Sequence, residues 1–142
     1  TRAALPRMLA TGSGWILNVS SVAAFQAALN LAVYAATKAY VQSFTESLHE
    51  ELRGSGVIAT SLCPGLTKTE FLTVSNIGEP GRSYPSILWL TSERVAREGL
   101  QDCAKGTAVS VPGIPYKGAV AATNVMPRGL SRRSLGLLSR WS

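Results

Sequence analysis

The chain has 142 residues, of which 46% are hydrophobic and 15% charged, so it can bury one core and is not wholly disordered. No apolar run approaches the ~20 residues that a membrane-spanning helix needs. The net charge of +6 comes mostly from residues 117–142, which hold five basic and no acidic side chains, so the body of the chain lacks the basic surface of a nucleic-acid-binding protein.

The first half of the chain predicts a helix end, a strand and a long helix. Residues 1–9 lack the apolar core of a signal peptide and are interpreted as the end of a helix that begins earlier. The short apolar run at residues 15–19 predicts a buried parallel strand. Apolar side chains at three- and four-residue spacing predict a helix over about 32–53 and form its expected inner face: Val33, Ala36, Tyr40, Phe44, Leu48 and Leu52.

The second half predicts two more strands on either side of another helix. Residues 57–63 form a second strand candidate that is followed by Pro64 and Gly65, and residues 108–111 form a third. Between them Thr91 or Ser92 can cap a helix that runs to about residue 105. The inner face of this helix is expected to hold Val95, Ala96, Leu100 and Cys103. The alternation of strands and helices predicts an α/β fold with a parallel sheet and right-handed crossovers.

Polar side chains collect at one edge of this predicted sheet. Ligands of open α/β sheets bind beyond the carboxyl ends of the strands, where Ser20 and Ser21 follow the first strand and Pro64 follows the second. The helix between these strands begins at the same edge and carries Tyr34 and Lys38 on one face. A lysine ammonium beside a phenol stabilises the phenolate, which suits proton transfer near neutral pH. The alternative is an ordinary amphipathic helix with a packed tyrosine and a solvated lysine.

Four stretches, in this order and spacing, resemble the short-chain dehydrogenase/reductase family. They are GWILNVSS at 14–21, YAATKA at 34–39, FTESL with the following EL at 44–52, and PGLTKT at 64–69. The resemblance covers residues 1–113, which would form the C-terminal half of a doubly wound, Rossmann-type domain without its N-terminal cofactor half. Residues 114–142 are predicted to be a basic, helical C-terminal extension.

The resemblance implies a role for each polar residue at this edge. Tyr34 would be the catalytic acid or base, and Lys38 would bind the nicotinamide ribose and tune the tyrosine. The family serine lies thirteen residues before the tyrosine, which selects Ser21 as the substrate-contacting catalytic serine and leaves Ser20 as a strand-end hydroxyl bonded to backbone. Besides Tyr34 and Lys38, the cofactor would contact a turn that consists of Pro64, Gly65, Leu66, Thr67 and Thr69.

Other side chains have weaker support as site residues. Four of them lie in stretches that line the substrate pocket of such enzymes and are equally well explained by packing: Phe25, Gln26, Phe71 and Tyr84. His49, the single histidine, is expected on a solvated helix face. Two isolated cysteines fit neither a disulfide framework nor a zinc site, and Cys63 is expected to be a buried thiol rather than a nucleophile.

The implied function is hydride transfer between a nicotinamide cofactor and a carbonyl or alcohol substrate of apolar character. The cofactor would be NADP or NAD, with NADP slightly favoured, and the parent enzyme would be a cytoplasmic homo-oligomer. Two alternatives stay open, a non-catalytic dimerisation fragment and a module whose basic tail lies on a membrane surface. The tail could instead cover the enzyme's own pocket or a subunit contact.

The family's Gly-rich cofactor turn, which would follow an earlier strand, has no counterpart in this sequence. The missing half would hold the adenosine and pyrophosphate of the cofactor. The isolated chain is therefore expected to be inactive and to expose a strand edge that favours incorrect pairing, whereas the complete parent protein is expected to be active.

Overall fold

The computed structural model describes residues 1–27, 30–69 and 85–125. Along these residues short strands alternate with helices, as the hydrophobic pattern predicts. The elements in chain order are α1 (Leu5–Thr11), β1 (Gly14–Val19), α2 (Ala32–Glu51), β2 (Val57–Leu62), β3 (Thr67–Lys68), β4 (Leu90–Thr91), α3 (Ser92–Ala104), β5 (Val109–Ser110) and α4 (Ile114–Val125). Two short 3-10 helices lie at Val22–Phe25 and Ser86–Leu88.

The main sheet is parallel and has the order β1-β2-β5. The β1–β2 register runs from Gly14 opposite Val57 to Val19 opposite Leu62, and Ser61 of β2 lies opposite Val109 of β5. A second, two-stranded parallel pair joins β3 to β4. The α/β fold with a parallel sheet is therefore confirmed.

Helices cover both faces of the main sheet because successive strand residues point in opposite directions. Ile16 packs with Leu48 and Leu52 of α2, and α1 packs against the same cluster. Leu62 points to the other face, where it packs with Val95 of α3 and with Leu17. The core is thus two apolar layers with the sheet between them.

The buried face of α2 differs from the face that the apolar spacing predicts. Of the predicted stripe, Leu48 is buried on the helix, whereas Val33, Tyr40 and Phe44 are exposed. The helix buries Ala35, Gln42, Thr45 and Leu48. The polar members of this set can be buried because β1 and β2 supply hydrogen-bond partners, so the apolar side chains face outward instead.

The buried face of α3 holds fewer of the predicted side chains than expected. Val95 and Cys103 are buried, as expected, but Leu100 is 54% exposed and Ala96 is exposed. Gly99 takes the central place on this face. A Cβ there would lie 2.9 Å from Cδ1 of Leu62, so this close approach of α3 to the sheet requires glycine.

His49 does not lie on a solvated helix face, and that expectation is wrong. The ring is half-buried, and its Nδ1 lies 2.8 Å from the carbonyl oxygen of Ala59. A carbonyl can only accept, so Nδ1 carries the proton. The pairing of β2 with β5 begins at Ser61. The Ala59 carbonyl that His49 binds therefore lies two residues before this pairing.

Candidate active site

A cavity of about 630 Å³ lies at the carboxyl ends of β1 and β2. Its wall is assembled from six parts of the fold: residues 19–23 at the end of β1, the start of α2, six of the residues between 62 and 69 at the end of β2, Leu88 of the second 3-10 helix, the start of α3, and Tyr116 of α4. This is the edge at which the sequence predicts a site. The parallel strands bring these separate segments together because their carboxyl ends share one edge.

The two serines after β1 have different partners. Ser21 is buried, and its Oγ accepts the amide of Ala23 at 3.2 Å, which caps the 3-10 helix that follows. Ser20 is 2% exposed, and its Oγ donates to the carbonyl of Lys38 at 2.7 Å. Ser20 therefore makes the bond to backbone that was expected of it, and both serines border the cavity.

Tyr34 and Lys38 lie one turn apart on α2, and both border the cavity. The Nζ of Lys38 lies 5.7 Å from the centroid of the Tyr34 ring. The same Nζ donates to the carbonyl of Val19 at 3.1 Å. The ammonium group is thereby held between the end of β1 and the face of the Tyr34 ring.

The loop after β2 forms the opposite wall and is tied to its neighbours by backbone bonds. Pro64 accepts the amide of Val22 at 3.1 Å, which joins the two strand ends, and Leu66 accepts the amide of Leu90 at 2.9 Å. All five residues predicted for the nicotinamide-facing turn border the cavity: Pro64, Gly65, Leu66, Thr67 and Thr69.

A buried polar network lies behind this loop. Both the Oγ of Ser61 and the Sγ of Cys63 donate to Oε1 of Gln42, at 2.6 and 2.8 Å. The amide nitrogen of Gln42 donates to Glu46 at 2.7 Å. Burial raises the pKa of the Cys63 thiol, against the opposing hydrogen bond from Ser61. The neutral, hydrogen-bonded thiol stabilises the strand end and is a poor nucleophile.

Not every predicted site residue reaches the cavity. Phe25 and Gln26 end the 3-10 helix after Ser21 and are not among the residues that border it, whereas Val22 and Ala23 are. Phe71 and Tyr84 lie outside the described residues. A substrate-binding role for these four predicted residues stays a prediction.

Several residues that border the cavity were not predicted to do so. Besides Val19, Val22, Ala23 and Leu62 at the strand ends, they are Leu31, Leu88, Ser92, Val95, Ala96 and Tyr116. Val95 and Ala96 were expected to be core residues only, and Tyr116 lies in the stretch interpreted as a tail. These side chains belong to no local motif: Leu31 precedes α2, Leu88 lies on the second 3-10 helix, and the other four are brought to the site by the folding of α3 and α4.

A parallel α/β sheet with a serine, a tyrosine and a lysine at its carboxyl edge is the arrangement that the sequence resemblance implies. Comparison with known proteins agrees: the profile of the short chain dehydrogenase family matches residues 1–79, more than half of the chain. The chain therefore belongs to this family. Within the described residues, no group of histidine, cysteine and carboxylate side chains is arranged to hold a metal ion.

Curated relatives match a little more than half of the chain. An uncharacterized oxidoreductase of Staphylococcus epidermidis is 41% identical over 78 residues, which are 55% of this chain and 34% of that protein. An uncharacterized oxidoreductase of Myxococcus xanthus is 40% identical over 78 residues, 55% of this chain and 31% of its own length. The matched part thus spans about a third of the curated relatives' length.

Solved structures match nearly all of the chain. A 7beta-hydroxysteroid dehydrogenase structure has a TM-score of 0.79 at 24% identity and covers 95% of this chain and 52% of its own. A short-chain dehydrogenase from Sphingobium yanoikuyae in complex with NADPH has a TM-score of 0.67 at 25% identity over 94% and 48%. One from Burkholderia cenocepacia in complex with NADP has a TM-score of 0.73 at 23% identity over 93% and 51%. These likenesses agree on the fold.

None of the helices in the described residues combines the length and the apolar character that crossing the hydrocarbon layer of a membrane requires.

Proposed function

We propose that this chain carries the catalytic and nicotinamide-facing part of an oxidoreductase that transfers hydride between NAD(P) and a carbonyl or alcohol substrate. One observation carries the proposal. Ser21, Tyr34 and Lys38, which come from two elements, border one cavity together with the loop at 64–69. The three are the hydroxyl and ammonium groups that such a reaction needs for proton transfer.

The donor set at this cavity fits a nicotinamide cofactor. Lys38 supplies an ammonium group, and Ser21, Tyr34 and Thr69 supply hydroxyl groups, while none of the described residues at the wall is a carboxylate. Such donors suit the ribose hydroxyls and the carboxamide. A bound nicotinamide supplies or accepts the hydride. The NADPH and NADP bound by the Sphingobium and Burkholderia proteins support a nicotinamide cofactor and favour NADP slightly.

Each of the three side chains has a separate task in the proposed reaction. The Oγ of Ser21 accepts the Ala23 amide, so its hydroxyl proton can be donated to the substrate oxygen. Tyr34 donates a proton to that oxygen during reduction and removes it during oxidation. Lys38 uses one of its three protons on Val19, which leaves two for the cofactor ribose.

The rest of the cavity wall supports a neutral, apolar substrate. Lys38 is the sole ionised side chain among the described residues at the wall, and it is assigned to the cofactor. Most other members are aliphatic, including Leu31, Leu66, Leu88 and Val95. Burial against such a wall favours apolar groups on either side of the carbonyl.

Substitution of Tyr34 tests the proposal in the product of the complete reading frame, here called the full-length product. Y34F removes the proton donor and keeps the ring, so we expect turnover of neutral ketones to fall at least about 100-fold while reduced cofactor still binds. Y40F alters an exposed tyrosine on the same helix and should leave turnover within about twofold. Turnover by Y34F at the wild-type rate would exclude Tyr34 as the proton donor.

A second function, self-association through α2, is supported by the outward face of this helix. Tyr40 and Phe44 are exposed, and their rings stack with centroids 6.2 Å apart. An apolar stripe that includes Val33 is suited to a second copy of the chain. Sedimentation should show a dimer that the double substitution Y40E/F44E converts to a monomer and that S47E, also on an exposed position, leaves intact. A monomeric wild type would rule this function out.

A further inference from the structure

Tyr116 of α4 joins two segments that are far apart along the chain. Its Oη accepts the amide of Leu66 at 2.9 Å and donates to the carbonyl of Leu88 at 2.7 Å. Its ring covers Gly65 so closely that a Cβ on Gly65 would collide with it. One side chain therefore holds the loop after β2, the 3-10 helix before β4 and the wall of the cavity.

The position of Tyr116 is itself fixed by α3. Gly113, whose φ of 85° requires glycine, starts the turn into α4. Its amide donates to Oε2 of Glu98 at 3.1 Å, and Oε1 of the same carboxylate accepts from Arg94 at 2.8 Å. The first turn of α4, which carries Tyr116, is thus attached to α3 through Glu98.

The peptide between Gly65 and Leu66 needs such an attachment. Gly65 has no Cβ to restrict ψ on its side of this peptide, so the hydrogen bond from the Leu66 N–H helps to fix the orientation of the peptide plane. With the Leu66 amide bonded to Tyr116, the Gly65 carbonyl is fixed where it accepts the Oγ1 of Thr67 at 3.0 Å. One orientation of the turn is selected before any ligand binds.

We infer that Tyr116 is a positioning residue for the nicotinamide-facing turn, acting through Gly65 and Leu66. The inference rests on the proposed function, since that function gives the turn its ligand. Y116F keeps the ring over Gly65 and removes both hydroxyl bonds. It should therefore fold normally but leave the turn free to rotate, so cofactor binding weakens while the chemical groups on β1 and α2 stay in place.

Two measurements on the full-length product test this role, with Y40F as the control. In Y116F the Leu66 amide should exchange with solvent at least about tenfold faster by NMR, because its acceptor is gone. The Kd for reduced cofactor and the KM for cofactor should rise about three- to tenfold, the effect of one or two hydrogen bonds, with kcat within about twofold. Y40F should change none of these.

The possible results distinguish a failure of the inference about Tyr116 from a failure of the proposed function. Unchanged Leu66 exchange in Y116F overturns the inference, and so does faster exchange with unchanged cofactor Kd, because Tyr116 would then be merely structural. If the folded wild type binds no reduced cofactor, the proposed function itself fails and the inference falls with it. A fall in kcat equal to the rise in KM would place Tyr116 in the chemical step and contradict a positioning role.

Discussion

The buried hydroxyl of Ser20 connects the end of β1 to the turn of α2 that carries Lys38. Its bond to the Lys38 carbonyl and the bond from Nζ of Lys38 to Val19 run between the same two elements in opposite directions. The lysine is therefore held at its backbone and at its ammonium group. Substitution of Ser20 removes one of these ties and leaves the other.

S20A should lower the free energy of unfolding of the full-length product by about 1 kcal/mol, the usual net value of a buried hydrogen bond. S47A is the matched control, because the Ser47 hydroxyl also donates to a backbone carbonyl, that of Ser43, but on the exposed side of α2. The control should stay within about 0.5 kcal/mol of wild type in urea unfolding. Equal effects of the two substitutions would contradict a special role for Ser20.

At this scale the sequence predicted the residues that carry a local motif. Ser21, Tyr34 and Lys38 stand at fixed spacings along two neighbouring elements, and all three border the cavity. Tyr116 could not be found in this way, because its partners are backbone groups 50 and 28 residues away. Backbone donors and acceptors are present at every residue, so no side-chain pattern identifies them.

Among the elements, two helical glycines have opposite surroundings. Gly99 of α3 faces Leu62, so an added Cβ would lie 2.9 and 3.0 Å from its two methyl groups. Gly118 of α4 has no atom within 4 Å of an added Cβ. The same substitution to alanine therefore tests packing at one position and helix propensity at the other.

G118A should raise the free energy of unfolding by about 0.5–1 kcal/mol, the gain of alanine over glycine in a helix. G99A makes the same gain but overpacks the buried Leu62 at a cost of about 1–3 kcal/mol, so we expect a net loss of about 1–2 kcal/mol. Urea unfolding of both variants measures the difference. A stabilised G99A would mean that α3 can move away from the sheet.

The link between α3 and α4 should weaken in acid. The hydrogen bond from Arg94, together with that from the Gly113 amide, holds the pKa of Glu98 below its ordinary value, against an opposing effect of burial. A carboxylate with a lowered folded pKa contributes stability that is present above its unfolded pKa of about 4.3 and is lost as pH falls through the folded pKa.

E98Q should remove this contribution. The free energy of unfolding of wild type should therefore exceed that of the variant at neutral pH, and the two values should converge below about pH 4. Urea unfolding across this range, with α4 followed by the NMR signals of Tyr116, measures the convergence. A difference that stays constant with pH would show that the ionisation of Glu98 does not hold the turn at Gly113.

The presence of each helix and strand was easier to predict than the face that it buries. Apolar runs identified β1 and β2, and the α2 and α3 boundaries were close, because burial in a parallel sheet demands continuous hydrophobic segments. The buried face of α2 was predicted only in part: Leu48 and Leu52 are buried as expected, whereas the buried Gln42 and Thr45 are polar residues with hydrogen-bond partners. The two-residue strands β3 and β4 are too short for any period to appear.

At the scale of the whole molecule, β1 lies at an edge of the main sheet in the described residues. Within the described residues it pairs with β2 alone, and Trp15 and Val19 are 57% and 55% exposed. The segment that matches the curated relatives spans about a third of their length, and the chain covers about half the length of the solved structures. The order β1-β2-β5 could not be predicted from local patterns, because pairing joins segments that are distant in the chain.

Binding of reduced nicotinamide cofactor, followed by fluorescence, tests the central claim most directly. It should be measured on the purified 142-residue chain and on the full-length product, with NADPH and NADH in parallel. We predict that the full-length product binds, NADPH more tightly than NADH, and that the 142-residue chain alone binds far more weakly. A folded full-length product that binds neither cofactor would contradict the assignment of an NAD(P)-dependent oxidoreductase and leave self-association as the function of this fold.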